Sequence, residues 1–168
     1  MKLALTGASG FVGGFLAAGL RARGHAVTTL GRRGADLPFS LRGPVPDLSG
    51  HDALIHAALE HVPGVYRGGE GDDPEGFVAA NRDGSIALFQ AAREAGVGRI
   101  VFLSSRAVYG PQRPGATLIE DTPARPDTLY GEVKLDCERW LAGCGMPAVS
   151  LRATGVYGPA PGHKWEAL

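Results

Sequence analysis

The sequence has no excess of charge of either sign and no long apolar run. Lysine and arginine together number 17, aspartate and glutamate also number 17, and the formal net charge at pH 7 is zero. This balance creates no strong field for nucleic acid or an anionic membrane, and we expect neither as a partner. No apolar run approaches the roughly 20 residues that a membrane-spanning helix needs. We therefore expect a cytoplasmic protein.

Cysteine is also scarce. The two cysteines, Cys137 and Cys144, lie seven residues apart in a predicted helix. That spacing separates them by about 10 Å along the helix axis, which is too far for a disulfide. Neither their number nor their spacing indicates a metal site, so no metal is expected. Two free thiols are typical of a reducing compartment.

Apolar segments bounded by glycine and proline alternate with segments of helical periodicity. The predicted strands are Lys2–Thr6, His25–Leu30, Ala53–His56, Arg99–Ser104 and Ala148–Arg152, and the predicted helices are Phe11–Arg23, Glu75–Ala95 and Leu129–Ala142. Apolar strands separated by amphipathic helices predict an α/β fold, a doubly wound parallel sheet (Rossmann fold) in three αβα layers. Its site is expected at the carboxyl ends of the strands. The segment 34–47 is expected to be a loop.

The opening MKLALTGASGFVGG has two interpretations, a secretory signal and a phosphate-binding loop. Gly7, Gly10 and Gly13 lie between the first predicted strand and helix. They suit a tight turn, a close approach of phosphate to the backbone, and close packing of the helix on the sheet. The same glycines interrupt the apolar region that a signal needs. The stretch therefore predicts a loop that binds pyrophosphate at a helix N-terminus.

Tyr130 and Lys134 lie four residues apart, on one face of a predicted helix. Because a nearby cation stabilises phenolate, we expect Lys134 to lower the pKa of Tyr130 from about 10. Such a phenol can exchange a proton with a substrate hydroxyl or carbonyl. Ser105 follows a buried predicted strand, where its hydroxyl can hold the substrate oxygen. The alternative for the tyrosine–lysine pair is an ordinary exposed helix face.

Six segments occur in a characteristic order: TGASGFVG at 6–13, LIHAA at 54–58, Asn81, FLSSRAVYG at 102–110, EDTPARPDTLYGEVK at 120–134 and LRATGVYGP at 151–159. Together they resemble the extended short-chain dehydrogenase/reductase family, in its NAD-dependent epimerase/dehydratase branch, which is nucleotide-sugar epimerase-like. The resemblance implies that Tyr130 is the catalytic acid/base and that Ser105 orients the reacting oxygen. It implies that Lys134 holds the nicotinamide ribose and tunes Tyr130.

The resemblance also implies a set of cofactor-binding residues: Gly7, Ser9, Gly10, Phe11, Val12, Gly13, Arg32, Ala57, Ala58, Tyr130 and Lys134. Asn81 is implied as a structural or proton-relay position, and strand packing is the better interpretation of His56. A homodimer through the helices Glu75–Ala95 and Leu129–Ala142 is implied as well. The alternative is that these two helices simply cover the sheet.

Departures from the family pattern bear on cofactor and substrate. Gly31 stands where NAD-preferring relatives carry an acidic residue, and Arg32 and Arg33 suit a 2′-phosphate, so NADP is favoured over NAD. Arg106 and the alanine after it replace the Asp-Glu pair of dehydratases, which disfavours elimination. Arg106 is expected to face the pocket, a surface ion pair being an equal alternative. Gly155 replaces an asparagine that touches the sugar nucleotide in relatives, which leaves a nucleotide-sugar substrate open.

Residues 1–160 are expected to form a dinucleotide-binding domain. The family's smaller substrate-binding region is largely lacking, and residues 161–168 are expected to be its start, truncated or missing thereafter. Trp165 and Leu168 are typical of the beginning of a further helix, which favours a fragment.

The resulting hypothesis is an NAD(P)-dependent oxidoreductase or epimerase acting on a hydroxyl or carbonyl carbon of a small molecule. The sequence does not separate an epimerase from a reductase. The alternative is a non-catalytic NAD(P)-binding regulator or redox sensor of the same fold. The presence of Tyr130, Lys134 and Ser105 together argues against the alternative, because a pure binder does not need all three.

Overall fold

The computed structural model describes residues 1–62 and 69–158. The boundary at 160 and the expected start of a second region at 161–168, with Trp165 and Leu168, lie outside the described residues. The strands are β1 (Lys2–Thr6), β2 (Ala26–Gly31), β3 (Leu37–Pro38), β4 (Ala53–His56), β5 (Ile100–Ser105) and β6 (Ala148–Ala153). The helices are α1 (Phe11–Ala22), α2 (Pro74–Val78), α3 (Gly84–Glu94) and α4 (Leu129–Gly143).

The strands form one parallel sheet in the order β3-β2-β1-β4-β5-β6. The chain fills one half of the sheet with β1 to β3 and then crosses to β4 on the other side of β1. The strand order therefore reverses between β1 and β4, where a doubly wound sheet opens a crevice at its carboxyl edge. The predicted Rossmann fold is confirmed.

The main core lies where α3 and α4 cover the sheet, and the buried side chains there include Leu88, Phe89, Ile100, Phe102, Cys137 and Leu141. Helix α1 packs against β1 and β2. Cys137 and Cys144 are both free thiols, as the spacing predicted. In the described part of the chain, no helix has the length and apolar character needed to span a membrane.

His56 belongs to this core. Its ring lies 5.4 Å from the Phe89 ring and 5.7 Å from the Phe102 ring, measured between centroids. Its two nitrogens are hydrogen-bonded to the hydroxyls of Thr6 and Ser85, at 2.7 and 2.9 Å. Burial lowers the pKa of His56 to about 3, so the ring is neutral at physiological pH. These contacts confirm strand packing as its role.

The predicted helix Glu75–Ala95 is divided in the structure. A π turn, Ala79–Asp83, separates α2 from α3. Within it the Asn81 amide accepts from the backbone N–H of Glu60 at 2.7 Å and donates to the Glu60 carbonyl at 2.8 Å. Turns of this kind often mark functional sites. Here Asn81 anchors the segment that follows β4 at the carboxyl edge of the sheet.

The expected loop at 34–47 is free of helix but contains the two-residue strand β3. Leu37 and Pro38 pair with Leu30 and Gly31 of β2. Pro38 has no N–H, and proline is tolerated in such an edge strand. The presence of proline is why the sequence did not indicate a strand at this point.

Candidate active site

The glycine loop after β1 lies directly against the end of β4. Gly7 adopts a φ of +75°, and a Cβ added to it would come within 2.7 Å of the Ala57 and Ala58 backbone. A Cβ on Gly13 would collide with the carbonyl oxygen of Gly7. Neither position therefore has room for a side chain, as the glycine spacing predicted.

The N-terminus of α1 opens into the same place. Gly10 occupies the N-cap, no side chain caps the helix there, and its first turn contains no acidic residue. The first N–H groups of a helix have no partner within the helix, and the positive end of its dipole adds to their pull on anions. The uncapped turn and the glycines at positions 7, 10 and 13, which carry no Cβ, fit a pyrophosphate group.

A cleft of about 1020 Å³ extends from this loop along the carboxyl edge of the sheet. Pockets for small molecules usually measure about 300–1,000 Å³, so this one suits a large ligand. Every residue predicted for catalysis or cofactor binding lines it: Gly7, Ser9, Gly10, Phe11, Val12, Gly13, Arg32, Ala57, Ala58, Ser105, Tyr130 and Lys134. The structure thus brings to one surface residues that follow β1, β2 and β4 together with residues of α1, β5 and α4.

Tyr130 enters the cleft from the first turn of α4. The hydroxyl of Thr128 caps this helix by accepting from the Gly131 N–H at 3.1 Å. A Cβ on Gly131 would come within 2.6 Å of the Ala107 carbonyl oxygen, in the 3₁₀ turn Arg106–Tyr109 that follows β5. Because Gly131 allows this close approach, Tyr130 lies beside Ser105 at the end of β5.

Lys134 lies one helical turn further on and is buried. Its ammonium donates to the Leu103 carbonyl at 2.8 Å and lies 4.5 Å from the centre of the Phe102 ring. The distance from Nζ to the centre of the Tyr130 ring is 5.8 Å. Burial lowers the pKa of Lys134 to about 8. The side chain therefore titrates near physiological pH.

The expected direction of the Tyr130 pKa is wrong. Burial raises the pKa of Tyr130 above its ordinary value, and a hydrogen-bonding interaction with Ser105 opposes the rise only in part. The physical reason is that desolvation of the phenolate dominates, while the Lys134 ammonium is directed to the Leu103 carbonyl on β5. Tyr130 is thus a neutral phenol in this arrangement, a proton donor before it is a base.

The other end of the cleft holds Gly31, Arg32 and Arg33, with both arginines exposed. A nearby carboxylate, Asp36, shapes this turn, and no sequence pattern had indicated that role. Asp36 accepts from the backbone N–H and the hydroxyl of Thr29 at 2.7 and 2.8 Å. These hydrogen bonds lower the pKa of Asp36, so its carboxylate stays ionised and folds the arginine-bearing turn back onto β2.

Of the two positions expected for Arg106, the one facing the pocket is wrong. Its side chain is exposed and is not among the residues that line the cleft. In the 3₁₀ turn, Val108 and Tyr109 take the buried positions, which leaves Arg106 on the outside. Gly155, by contrast, does line the cleft.

Comparison with known proteins agrees with this geometry. The model of the NAD dependent epimerase/dehydratase family matches residues 3–168. Among curated relatives, a 3-diazoavenalumate denitrifying reductase of a Streptomyces species is 32% identical over 97% of this chain and 59% of its own length. A UDP-glucose 4-epimerase of Corynebacterium glutamicum is 32% identical over 94% of this chain and 53% of its own length. The chain thus spans little more than half the length of these relatives.

Solved structures show the same likeness. MoeE5, in complex with UDP-glucose and NAD, superposes with a TM-score of 0.82 at 31% identity. The superposition covers 95% of this chain and 56% of the MoeE5 chain. RMD from Pseudomonas aeruginosa, complexed with NADPH, superposes with a TM-score of 0.75 at 28% identity. The superposition covers 94% of this chain and 54% of the RMD chain. Structural neighbours therefore bind either NAD or NADPH. From its sequence, its sheet and its cleft, the chain belongs to the NAD-dependent epimerase/dehydratase family of extended short-chain dehydrogenases/reductases.

Proposed function

We propose that this chain is the dinucleotide-binding and proton-transferring part of an NAD(P)-dependent oxidoreductase or epimerase. Its substrate would be a small molecule with a reacting hydroxyl or carbonyl carbon, a nucleotide sugar being the class that relatives favour. One observation carries the proposal. The glycine loop and the three residues Tyr130, Lys134 and Ser105 line a single cleft at the point where the strand order reverses.

The residues present fit a dinucleotide along the whole cleft. Gly7, Gly10 and Gly13 keep the backbone bare where α1 begins, so the pyrophosphate would bind to amide N–H groups. Ala57 and Ala58, which lie against Gly7, line the cleft with small side chains. A bound nicotinamide would supply hydride donation and acceptance.

The remaining chemistry belongs to three side chains. Tyr130, a neutral phenol, would donate its proton to a substrate carbonyl oxygen in reduction and be left as phenolate; in oxidation the phenolate would accept the proton of a substrate hydroxyl. Ser105 would hold that oxygen by a hydrogen bond from its own hydroxyl, whose oxygen already accepts from the Ala107 N–H at 3.1 Å. Lys134 would bring a positive charge beside the phenol as phenolate develops.

Arg32 and Arg33 support NADP as the preferred cofactor. Their guanidinium groups are exposed on the cleft wall, and Gly31 offers no carboxylate to a ribose diol. Pairing of two copies through α3 and α4 stays a prediction. The packing of these two helices on the sheet already accounts for the burial of Leu88, Phe89 and Leu141, so their burial does not require a second copy.

The test is the substitution Tyr130→Phe. It should retain measurable NADPH binding and lower turnover of UDP- or dTDP-hexoses by roughly 100-fold or more, the usual size of an acid–base contribution. Tyr157→Phe, at a tyrosine that is 74% exposed, is the matched control. A full-activity Tyr130→Phe protein would overturn the enzyme assignment in favour of a non-catalytic sensor.

The same assay separates the two reactions. A reductase converts one NAD(P)H for each product molecule, which nicotinamide absorbance follows directly. An epimerase returns the hydride to the opposite face of a transient ketone and shows no net change in cofactor.

A further inference from the structure

Helix α4 is tied to β5 by three side chains spaced four residues apart. They are Tyr130, Lys134 and Glu138. Tyr130 lies beside Ser105, as described above. The Lys134 ammonium donates to the Leu103 carbonyl at 2.8 Å. The Ser104 hydroxyl donates to Glu138 Oε1 at 2.5 Å. One face of the helix therefore meets three consecutive positions of the strand that ends in the active site.

Arg152 of β6 closes this arrangement from the other side. Its Nε lies 3.1 Å from each oxygen of the Glu138 carboxylate, and its terminal nitrogen lies 2.6 Å from Oε2. The Glu138 side chain is 8% exposed and the Arg152 side chain 26%. The guanidinium also lies 4.7 Å from the centre of the Tyr109 ring. One pair thus connects α4, β5, β6 and the 3₁₀ turn.

Such a pair is a poor device for stability alone. Removing two charges from water costs several kcal/mol per ion, and apolar residues of similar volume often replace a buried pair without loss. What a bidentate pair does supply is a fixed geometry. Glu138 lies one turn beyond Lys134, and Ser104, to which it is hydrogen-bonded, immediately precedes Ser105.

We propose that Glu138, held by Arg152 and Ser104, is a positioning residue that keeps Lys134 cationic and directed along β5. Its consequence for turnover rests on the proposed function. Its consequence for Lys134 itself does not, because the contacts belong to the folded chain whatever reaction it performs.

The groups that face Lys134 from the sheet carry no charge at physiological pH. The Leu103 carbonyl and the Phe102 ring approach from β5. From β4, His56 acts on Lys134 by its charge only when protonated, and burial lowers its pKa to about 3. The sheet therefore supplies dipoles and a ring face, not a counter-ion.

The helix supplies the acidic side chain, Glu138, four residues beyond Lys134. Burial raises the pKa of Tyr130, and it raises the pKa of Cys137 to about 11, so both are neutral near pH 8. Among the described residues, Cys137 and Glu138 oppose the lowering of the Lys134 pKa, and Glu138 is the carboxylate of the two. Burial lowers the pKa of Lys134 while the Glu138 charge raises it. Removal of that charge should lower it further.

The sequence makes a direct test practical, because it contains three lysines, Lys2, Lys134 and Lys164. Protein labelled with ¹³C at the lysine ε carbon should give three signals, and Lys134→Arg identifies the one of interest. Its titration midpoint should lie near 8 in the unmodified protein. In Glu138→Gln it should fall by roughly one pH unit, the usual effect of losing an adjacent opposite charge.

Asp136→Asn is the matched control on the same helix. Asp136 is 40% exposed and pairs with Arg139 at 3.3 Å, three residues along. This substitution should leave the Lys134 midpoint where it is. An unchanged midpoint in folded Glu138→Gln protein would refute the inference.

Glu138→Gln leaves the Arg152 charge without its partner and is therefore at risk of misfolding. The double variant Glu138→Gln, Arg152→Met removes both charges together; because the Arg152 charge opposes that of Glu138 at Lys134, a downward shift smaller than in Glu138→Gln is expected in it. In the activity assay, the alkaline limb of the pH profile should move with the Lys134 midpoint. A protein with no turnover on any substrate would contradict the proposed function and would leave the titration to decide this inference.

Discussion

Thr6 and His56 are register partners of β1 and β4, and their side chains share a 2.7 Å hydrogen bond at the point where the strand order reverses. The Thr6 hydroxyl oxygen also accepts from the N–H groups of Ala57 and Ala58, at 3.1 and 3.2 Å. Since both acceptor sites of this oxygen are used, its proton goes to His56 Nδ1. The end of β4 is thereby tied to β1, directly below the glycine loop.

The first prediction concerns the neutral state of His56. Ser85 donates to the Asn81 carbonyl at 2.6 Å, so it accepts from His56 Nε2, and Nδ1 must stay unprotonated to accept from Thr6. The pKa of His56 falls from 6.5 to about 3 on folding. The unfolded chain therefore binds the proton more readily between these values. The free energy of unfolding should decrease by about 1.4 kcal/mol per pH unit as pH falls through this window.

Urea unfolding at several pH values between neutral and 4 checks this slope. His56→Gln should remove it, whereas His51→Gln, at a half-buried histidine bonded to the Leu48 carbonyl, should not. An equal slope in His56→Gln protein would show that other groups cause the acid sensitivity.

The second prediction concerns the closest backbone approach in the cleft. Gly13→Ala should abolish dinucleotide binding, because its Cβ would collide with the Gly7 carbonyl and force the loop and α1 apart. Gly14→Ala is the control in the same helix, since its Cβ would meet Ala8 O at an ordinary 3.6 Å. Gly14→Ala should retain binding and stabilise the helix by up to about 1 kcal/mol. NADPH fluorescence and thermal unfolding report the two effects, and equal loss in both variants would argue against the close approach.

The third prediction concerns cofactor choice. The double substitution Arg32→Ala, Arg33→Ala should weaken NADPH binding by roughly 10- to 100-fold, the value of one or two charge-assisted hydrogen bonds, and should leave NADH binding unchanged. Arg139→Ala, at an arginine exposed on α4, controls for a general loss of positive charge. Unmodified protein that binds NADH more tightly than NADPH would contradict the proposed preference.

The fourth prediction concerns the start of α4. Thr128→Ala removes the hydroxyl that caps the Gly131 N–H and should cost about 1 kcal/mol of stability. Thr128→Ser keeps the cap and should cost much less. Because Tyr130 lies in the first turn, turnover should fall in Thr128→Ala and recover in Thr128→Ser; a uniform loss in both would indicate that the threonine methyl group, not the cap, matters.

Local chemistry made much of this protein predictable. Gly7, Gly10 and Gly13 are spaced so that the loop can turn tightly and the helix can begin close to the end of a strand. Spacing four residues apart likewise put Tyr130 and Lys134 on one face of α4. These features depend on a few neighbouring residues, and the structure agrees with them.

The features that escaped prediction depend on contacts distant in the chain. The sign of the Tyr130 pKa shift follows from burial, which no local pattern shows. In the π turn, the Asn81 amide is hydrogen-bonded to the backbone of Glu60, 21 residues earlier, a contact that no local pattern shows. Glu138 and Arg152 looked like ordinary charged residues of a helix and a strand until the fold placed them together.

The close approach of Gly7 to Ala57 and Ala58 has one more consequence. Because these two backbone segments are already in contact, folding sets the width of the glycine loop before any ligand binds. A ligand that binds there needs to order little of the protein, so the entropic cost of binding is smaller. The site is preorganised.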